Sequence, residues 1–170
     1  TLQLTAHRSG NSTALTFSAT DLHLEQYRAL GALGASVAGV LSADGNALLS
    51  QADAQSDGAA LHLAASGASF RIARGMAPLT LGSVSADVAL ERGRIQIRSV
   101  EAHGGDMAIS GRGVIELQPN LPDSTVAIRF TMVPTPAARS RLGFLFGLLP
   151  HPPNSQPYFL NGTLAFPRIG

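Results

Sequence analysis

No cysteine, no lysine and no tryptophan occur anywhere in the chain. Without cysteine there is no disulfide, no thiolate nucleophile, no Cys-ligated zinc and no iron–sulfur cluster. The same lack fits a cell-envelope protein that keeps clear of oxidation chemistry. Without lysine there is neither a P-loop for nucleotide phosphates nor a Schiff base. All twelve basic residues are therefore arginines, spread from Arg8 to Arg168, and the formal net charge is only +1. That balance does not build the basic face that nucleic acid requires. With no tryptophan and only Tyr27 and Tyr158 as tyrosines, the aromatic girdles of an outer-membrane barrel have no material. Nor does any window reach the roughly 18 apolar residues of a membrane-spanning helix.

What remains is apolar and weakly charged. At 170 residues, with 45% hydrophobic and 14% charged residues and a mean hydropathy of +0.17, the chain suffices for one domain with a buried core. It opens TLQLTAHR, without an initiator methionine, a basic leader region or an apolar signal core. This reads as an excised piece of a longer chain from which a signal or anchor has been removed.

The dominant period is two. Segments 2–8 and 13–24 alternate small or polar residues with Leu4, Leu15, Phe17, Leu22 and Leu24, and SGNS at 9–12 reads as a hairpin turn. Segment 25–34 loses the alternation and suits a turn of helix, after which the strand pattern resumes and ends at Asp44-Gly45-Asn46, a strong turn signal. Further strands are predicted at 47–55, 59–67 and 68–75, separated by Ser56-Asp57-Gly58 and by Gly67. The clearest hairpin places Val84, Ala86, Val88 and Leu90 on one face, turns at Arg92-Gly93 and returns through Ile95 and Ile97. Met107, Ile109, Gly111, Gly113, Ile115 and Leu117 then hold one face, Pro119 and Pro122 close that strand, and Val126, Ile128, Phe130 and Met132 form the next. Gln156 to Phe166 reads as a final strand. About ten strands of this kind predict an all-β domain: a curved, mostly antiparallel sheet, forming an open groove or a partly closed barrel, with a dry face and a wet face. Glycine-led strands recur loosely around 44–49, 57–65, 93–97 and 104–117, as in a meander of similar hairpins.

One segment departs from the pattern. Residues 137–149 follow Pro134 and Pro136, are almost continuously apolar from Leu142, and stop at Pro150, which predicts one short helix. Arg139 and Arg141 precede an apolar body of Leu142, Phe144, Leu145, Phe146, Leu148 and Leu149. Such a helix is expected to plug the open end of the apolar face, the alternative being a partner or membrane contact.

Candidate chemistry is sparse. His7, His23, His62, His103 and His151 never approach the short spacings that bring two metal ligands together. There is no GxSxG nucleophile elbow, Asp53 and Asp57 flank a turn rather than a cleft, and the glycines near 104–113 lack the following helix of a dinucleotide site. His103-Gly104-Gly105-Asp106 has the makings of a site, with a base, an acid and a flexible loop. Its simplest reading is a strand reversal, in which Gly104 and Gly105 permit the turn, Gly105 through positive φ, Asp106 bonds nearby amides and His103 is solvated. No catalytic residue, cofactor or metal ligand is expected, and the chain is not read as an enzyme.

Gly93, Gly105-Asp106, the strand Gly111 to Leu117, Ser124, the apolar helix Leu142 to Leu149 and the closing Leu160 to Pro167 together resemble the C-terminal half of the type II secretion system protein N family. The N-terminal half shares only the strand-rich, glycine-punctuated style. The resemblance implies a periplasmic β-rich domain tethered to the bacterial inner membrane by an N-terminal anchor. It also implies an accessory role in exporting folded proteins, through contacts with other secretion components. The chain is similar in style to AsmA-like envelope proteins as well, which implies the runner-up: an apolar groove that takes a lipid or another hydrophobe.

Overall fold

The period-two segments become ten strands in a single sheet. The computed structural model describes residues 1–26, 36–50, 57–71, 77–147, 149–153 and 156–170. In chain order the strands are β1 (Leu2–Ser9), β2 (Ser12–His23), β3 (Ser36–Ser50), β4 (Gly58–Arg71), β5 (Leu79–Glu91), β6 (Arg94–Gly104), β7 (Met107–Glu116) and β8 (Thr125–Pro134). Helix α1 (Pro136–Phe146) follows, and then β9 (Tyr158–Thr163) and β10 (Pro167–Ile169). Every strand pairs antiparallel with its neighbours in sequence, β1 through β10, and the sheet does not close. The fold is thus an open all-β meander with one short helix near its C-terminal end.

The registers explain why this pairing holds. Leu4, Phe17, Gly45, Leu61, Val88, Ile97, Gly113, Ile128, Leu160 and Ile169 are cross-strand partners in one unbroken row over all ten strands. A row of ten spans about 43 Å at the usual strand separation. Two flanking rows are equally apolar: Ala6, Leu15, Ala47, Ala59, Leu90 and Ile95 lead one, and Leu2, Ala19, Ala43, Leu63, Ala86 and Val100 the other. A slip of one residue in any ladder would turn that strand's apolar set to the wrong face, so the rows fix the register.

Several boundaries differ from the sequence reading. Asp44-Gly45-Asn46 is no turn: β3 runs straight through it, because β2 and β4 pair on both sides and the Phe17 ring occupies the space beside Gly45. Gly67 does not divide two strands but forms a bulge inside β4 with φ 61°. The closing segment is two strands, not one, since the chain reverses and Gly162 pairs with Pro167. Helix α1 ends at Phe146 rather than at residue 149, with Gly147 just past the end, where glycine suits a helix terminus. Its start follows the expected chemistry, with Pro136 in the first turn and the Thr135 hydroxyl accepting from the Ala138 N–H at 3.2 Å. The Arg92-Gly93 turn is as expected, with both residues at positive φ between the partners Glu91 and Arg94. Of the predicted helical turn at 25–34, residues Leu24–Gln26 form a short 3₁₀ turn, and 27–35 lie outside the described residues, as do 51–56 and the end of the predicted strand at 72–75.

A crease crosses the sheet. Asp21, Gly39, Gly67, Gly82 and Gly104 all have positive φ and lie on successive strands from β2 to β6, alongside register shifts in the ladders. Bulges bend a strand and raise its twist, so the row folds one end of the sheet over. That end holds the only cluster of buried apolar side chains among the described residues. There Leu79 and Met107 meet Ala138 and Leu142 of α1, with Phe70, Leu81, Ile109, Met132 and Phe146 packed around them.

Gly105 sits in the tightest part of this corner, where a Cβ would lie 2.4 Å from the Thr80 carbonyl oxygen and 2.6 Å from the Leu81 carbonyl carbon. Gly105→Ala is expected to cost about 2 kcal/mol or more in urea unfolding, because backbone on both sides must move. Gly93→Asn, in open space and at a φ that asparagine tolerates, is expected to cost less than about 1 kcal/mol. Equal losses in the two variants would contradict this account of the corner.

Candidate functional site

The stretch His103 to Asp106 builds a clamp rather than a reaction centre. Gly104 takes the positive φ of the turn, at 83°, while Gly105 is needed for the close approach of the β5 backbone and not for its own φ, contrary to the expectation from sequence. Asp106 then gathers three elements. Its Oδ2 accepts from the Thr80 N–H at 2.8 Å, from the Thr80 hydroxyl at 2.9 Å and from Arg141 of α1 at 2.6 Å. Its backbone donates to Thr80 O at 2.7 Å and accepts from the Thr135 N–H at 2.8 Å. Partial burial pushes the Asp106 carboxyl up, but the hydrogen bonds from Thr80 and the Arg141 guanidinium outweigh it and hold the group below the ordinary aspartate range. His103 is exposed and stands apart from this network.

The apolar body of α1 divides by direction. Leu142 is buried in the corner, Phe146 packs against it, and Phe144 points outward with 63% of its surface exposed. Leu149 is half-buried beyond the helix end, and Leu148 lies outside the described residues. Leu145 belongs to the helix backbone. The helix therefore covers one end of the apolar face and leaves the rest. Leu2 is 74% exposed and Leu4 67%, with Leu49 and Leu90 also classed as exposed. Farther along, Tyr158 is fully buried under the His151 ring at 4.1 Å and donates its hydroxyl to His151 O at 2.8 Å.

The opposite face carries the polar chemistry. His62 Nδ1 lies 2.7 Å from Asp87 Oδ1, and the Ser99 hydroxyl donates to Asp87 Oδ2 at 3.0 Å. Serine, histidine and aspartate are all present, but the carboxylate stands between the other two, so the imidazole does not contact the hydroxyl it would have to activate. The hydrogen bond with Asp87 raises the His62 pKa, and Asp87 is lowered in return, chiefly by His62 and then by Ser99. Sequence spacing missed this trio because residues 62, 87 and 99 meet only through the β4–β5 and β5–β6 registers. Hollows of about 1110, 590, 430 and 340 Å³ are lined mainly by residues of this polar face, such as Thr16, Asn46, Gln96 and Arg98.

Among the described residues no group of three or more histidines and carboxylates is placed to hold a metal ion. No described helix is long and apolar enough to cross a membrane. The motif residues that can be placed have structural work: Gly93 turns a hairpin, Asp106 clamps α1, and the buried Ser124 hydroxyl accepts from the Gln118 N–H at 3.0 Å. Comparison of the chain with family models, curated proteins and solved structures returned no match.

Two titrations test these contacts. Asp106→Asn is expected to lower stability by about 2 kcal/mol at neutral pH, through loss of the charge-assisted bonds. Because the folded carboxyl is depressed, its contribution is present above the ordinary value of 3.8 and fades as pH falls through the folded value, so the parent and variant converge only in acid. For His62 the sign is opposite: the raised imidazole stabilises fully below 6.5 and the gain is lost as pH rises through the folded value. Proton NMR should place the His62 midpoint above 6.5 and Asp87→Asn should bring it down; a midpoint indifferent to that substitution would remove the pair.

Proposed function

We propose that this protein is a non-catalytic interaction module whose open apolar face is covered by a partner protein. The observation that carries the reading is the set of three apolar rows left uncovered over much of their length. A folded monomer of this mass exposes about 7,900 Å² by the usual size scaling, whereas this chain exposes 10725 Å². An apolar surface of such continuity marks an interaction site. The β1 edge adds to it: all eight of its residues are exposed, and β1 lies at one edge of the sheet, the position at which a further strand is added. The partner expected from the family resemblance is another component of the bacterial type II secretion apparatus. The setting expected with it is the periplasm, next to the inner membrane.

A second reading, a face that takes a lipid or another hydrophobe, is favoured by one feature. The central row offers no polar side chain from Leu4 to Ile169, as an acyl chain would require and a protein interface would not.

A photo-reactive residue at Leu4 or Leu90, in protein kept in its native membranes, separates the two. Adducts with an identified secretion component support the first reading, and stoichiometric phospholipid adducts support the second. Absence of both overturns the proposal that this face is covered. Leu4→Asp is expected to change stability by less than about 1 kcal/mol, since the side chain is already largely in water, while abolishing the adduct formed from Leu90.

A further inference from the structure

Three of the twelve arginines, dispersed in the sequence, converge at one place on the polar face. Arg112 of β7 and Arg129 of β8 are direct cross-strand partners, so two like charges stand about 5 Å apart at their Cβ atoms. Such a pair destabilises a sheet unless something offsets it. On the next strand, register shifts on both sides of β6 leave Arg98 as an extra residue beside Ser99, and bulges of this kind re-aim side chains. Arg98, Arg112 and Arg129 then line one hollow of about 340 Å³ together with the hydroxyl-bearing Ser110 and Thr131, and no carboxylate lines it. Arg98 is ion-paired with Glu91 at 3.8 Å and close enough to Asp87 to help lower its carboxyl, Arg129 lies over the Phe159 ring at 5.8 Å, and Arg112 has no ion pair among the described residues.

We propose that this hollow binds a phosphoryl group. Three guanidinium groups present planar forks that match pairs of phosphate oxygens, and a doubly charged tetrahedral anion answers a threefold positive site better than a single carboxylate does. Ser110 and Thr131, hydrogen-bonded to each other at 2.7 Å, leave one hydroxyl proton to donate to an anion in the hollow. An adjoining hollow of about 590 Å³, lined by the same three arginines with Phe159 and Asn161, leaves room for whatever the phosphoryl group is attached to. The site lies on the face opposite the apolar rows and does not rest on the proposed role of those rows.

Calorimetric titration with inorganic phosphate, at ionic strength held constant with sodium chloride, tests the site. Saturable binding is expected, weakened at least tenfold in Arg112→Gln and unchanged in Arg71→Gln, which lies at the far end of β4. Without ligand, Arg112→Gln is expected to melt no lower than the parent, since it relieves the like-charge pair, so lost binding is not lost folding. Phosphate acting no differently from chloride, or binding Arg112→Gln as well as the parent, overturns the proposal. Flotation with phosphatidylglycerol vesicles, against phosphatidylcholine vesicles, identifies the source. Phosphate-competed binding to the anionic vesicles supports a lipid headgroup, and saturable phosphate binding without vesicle binding supports a soluble phosphoryl compound.

Discussion

A single sheet has two faces and, among the described residues, no second layer that buries most of the apolar one. Domains ordinarily solve this by packing two layers around a shared core. Here the rows from Leu4 to Ile169 and on either side of it are shielded mainly by their own neighbours, so most of these residues are half-buried and few are fully so. Backbone ladders and cross-strand contacts hold the meander together, and the uncovered face is what makes an interaction role the natural reading. The same constraint explains why Ala and Gly are common in the rows: small side chains leave less apolar surface in water.

Among the described residues, only those at the creased end supply cover from the chain itself. Positive-φ residues on five successive strands bend that end toward α1, and Leu142 fills the corner against Leu79 and Met107. The Asp106 carboxylate fastens the assembly, joining the start of β5, the β6–β7 turn and Arg141 of the helix through one oxygen. Packing places the helix and a charge-assisted network fixes its angle. The segment that invited a catalytic reading is in this way the joint on which the only closed core among the described residues depends.

The polar face carries a separate logic. Its rows pass from carboxylates at Asp44 and Asp87, near His62, to arginines at Arg98, Arg112 and Arg129 within a few strands. A chain with net charge +1 thereby carries an arginine cluster that borders on carboxylates, with Arg98 lining the hollow of Asp44 and Asp87 as well. Composition averages them away, because residues 98, 112 and 129 are neighbours only across the sheet.

The amino-acid sequence by itself determined the strands, the wet and dry faces and the helix, since each depends on side-chain period over a few consecutive residues. It also determined the two-residue turn at Arg92-Gly93, where local backbone preference meets no competition. What only the tertiary structure decided was everything resting on contacts between strands. Asp44-Gly45-Asn46 became strand interior because two neighbours paired with it, Gly67 became a bulge, and Gly105 proved necessary for space rather than for φ. The Asp106 clamp, the His62–Asp87–Ser99 trio and the three-arginine hollow were equally hidden. Register joins residues far apart in sequence, and no local pattern encodes which of them will face each other.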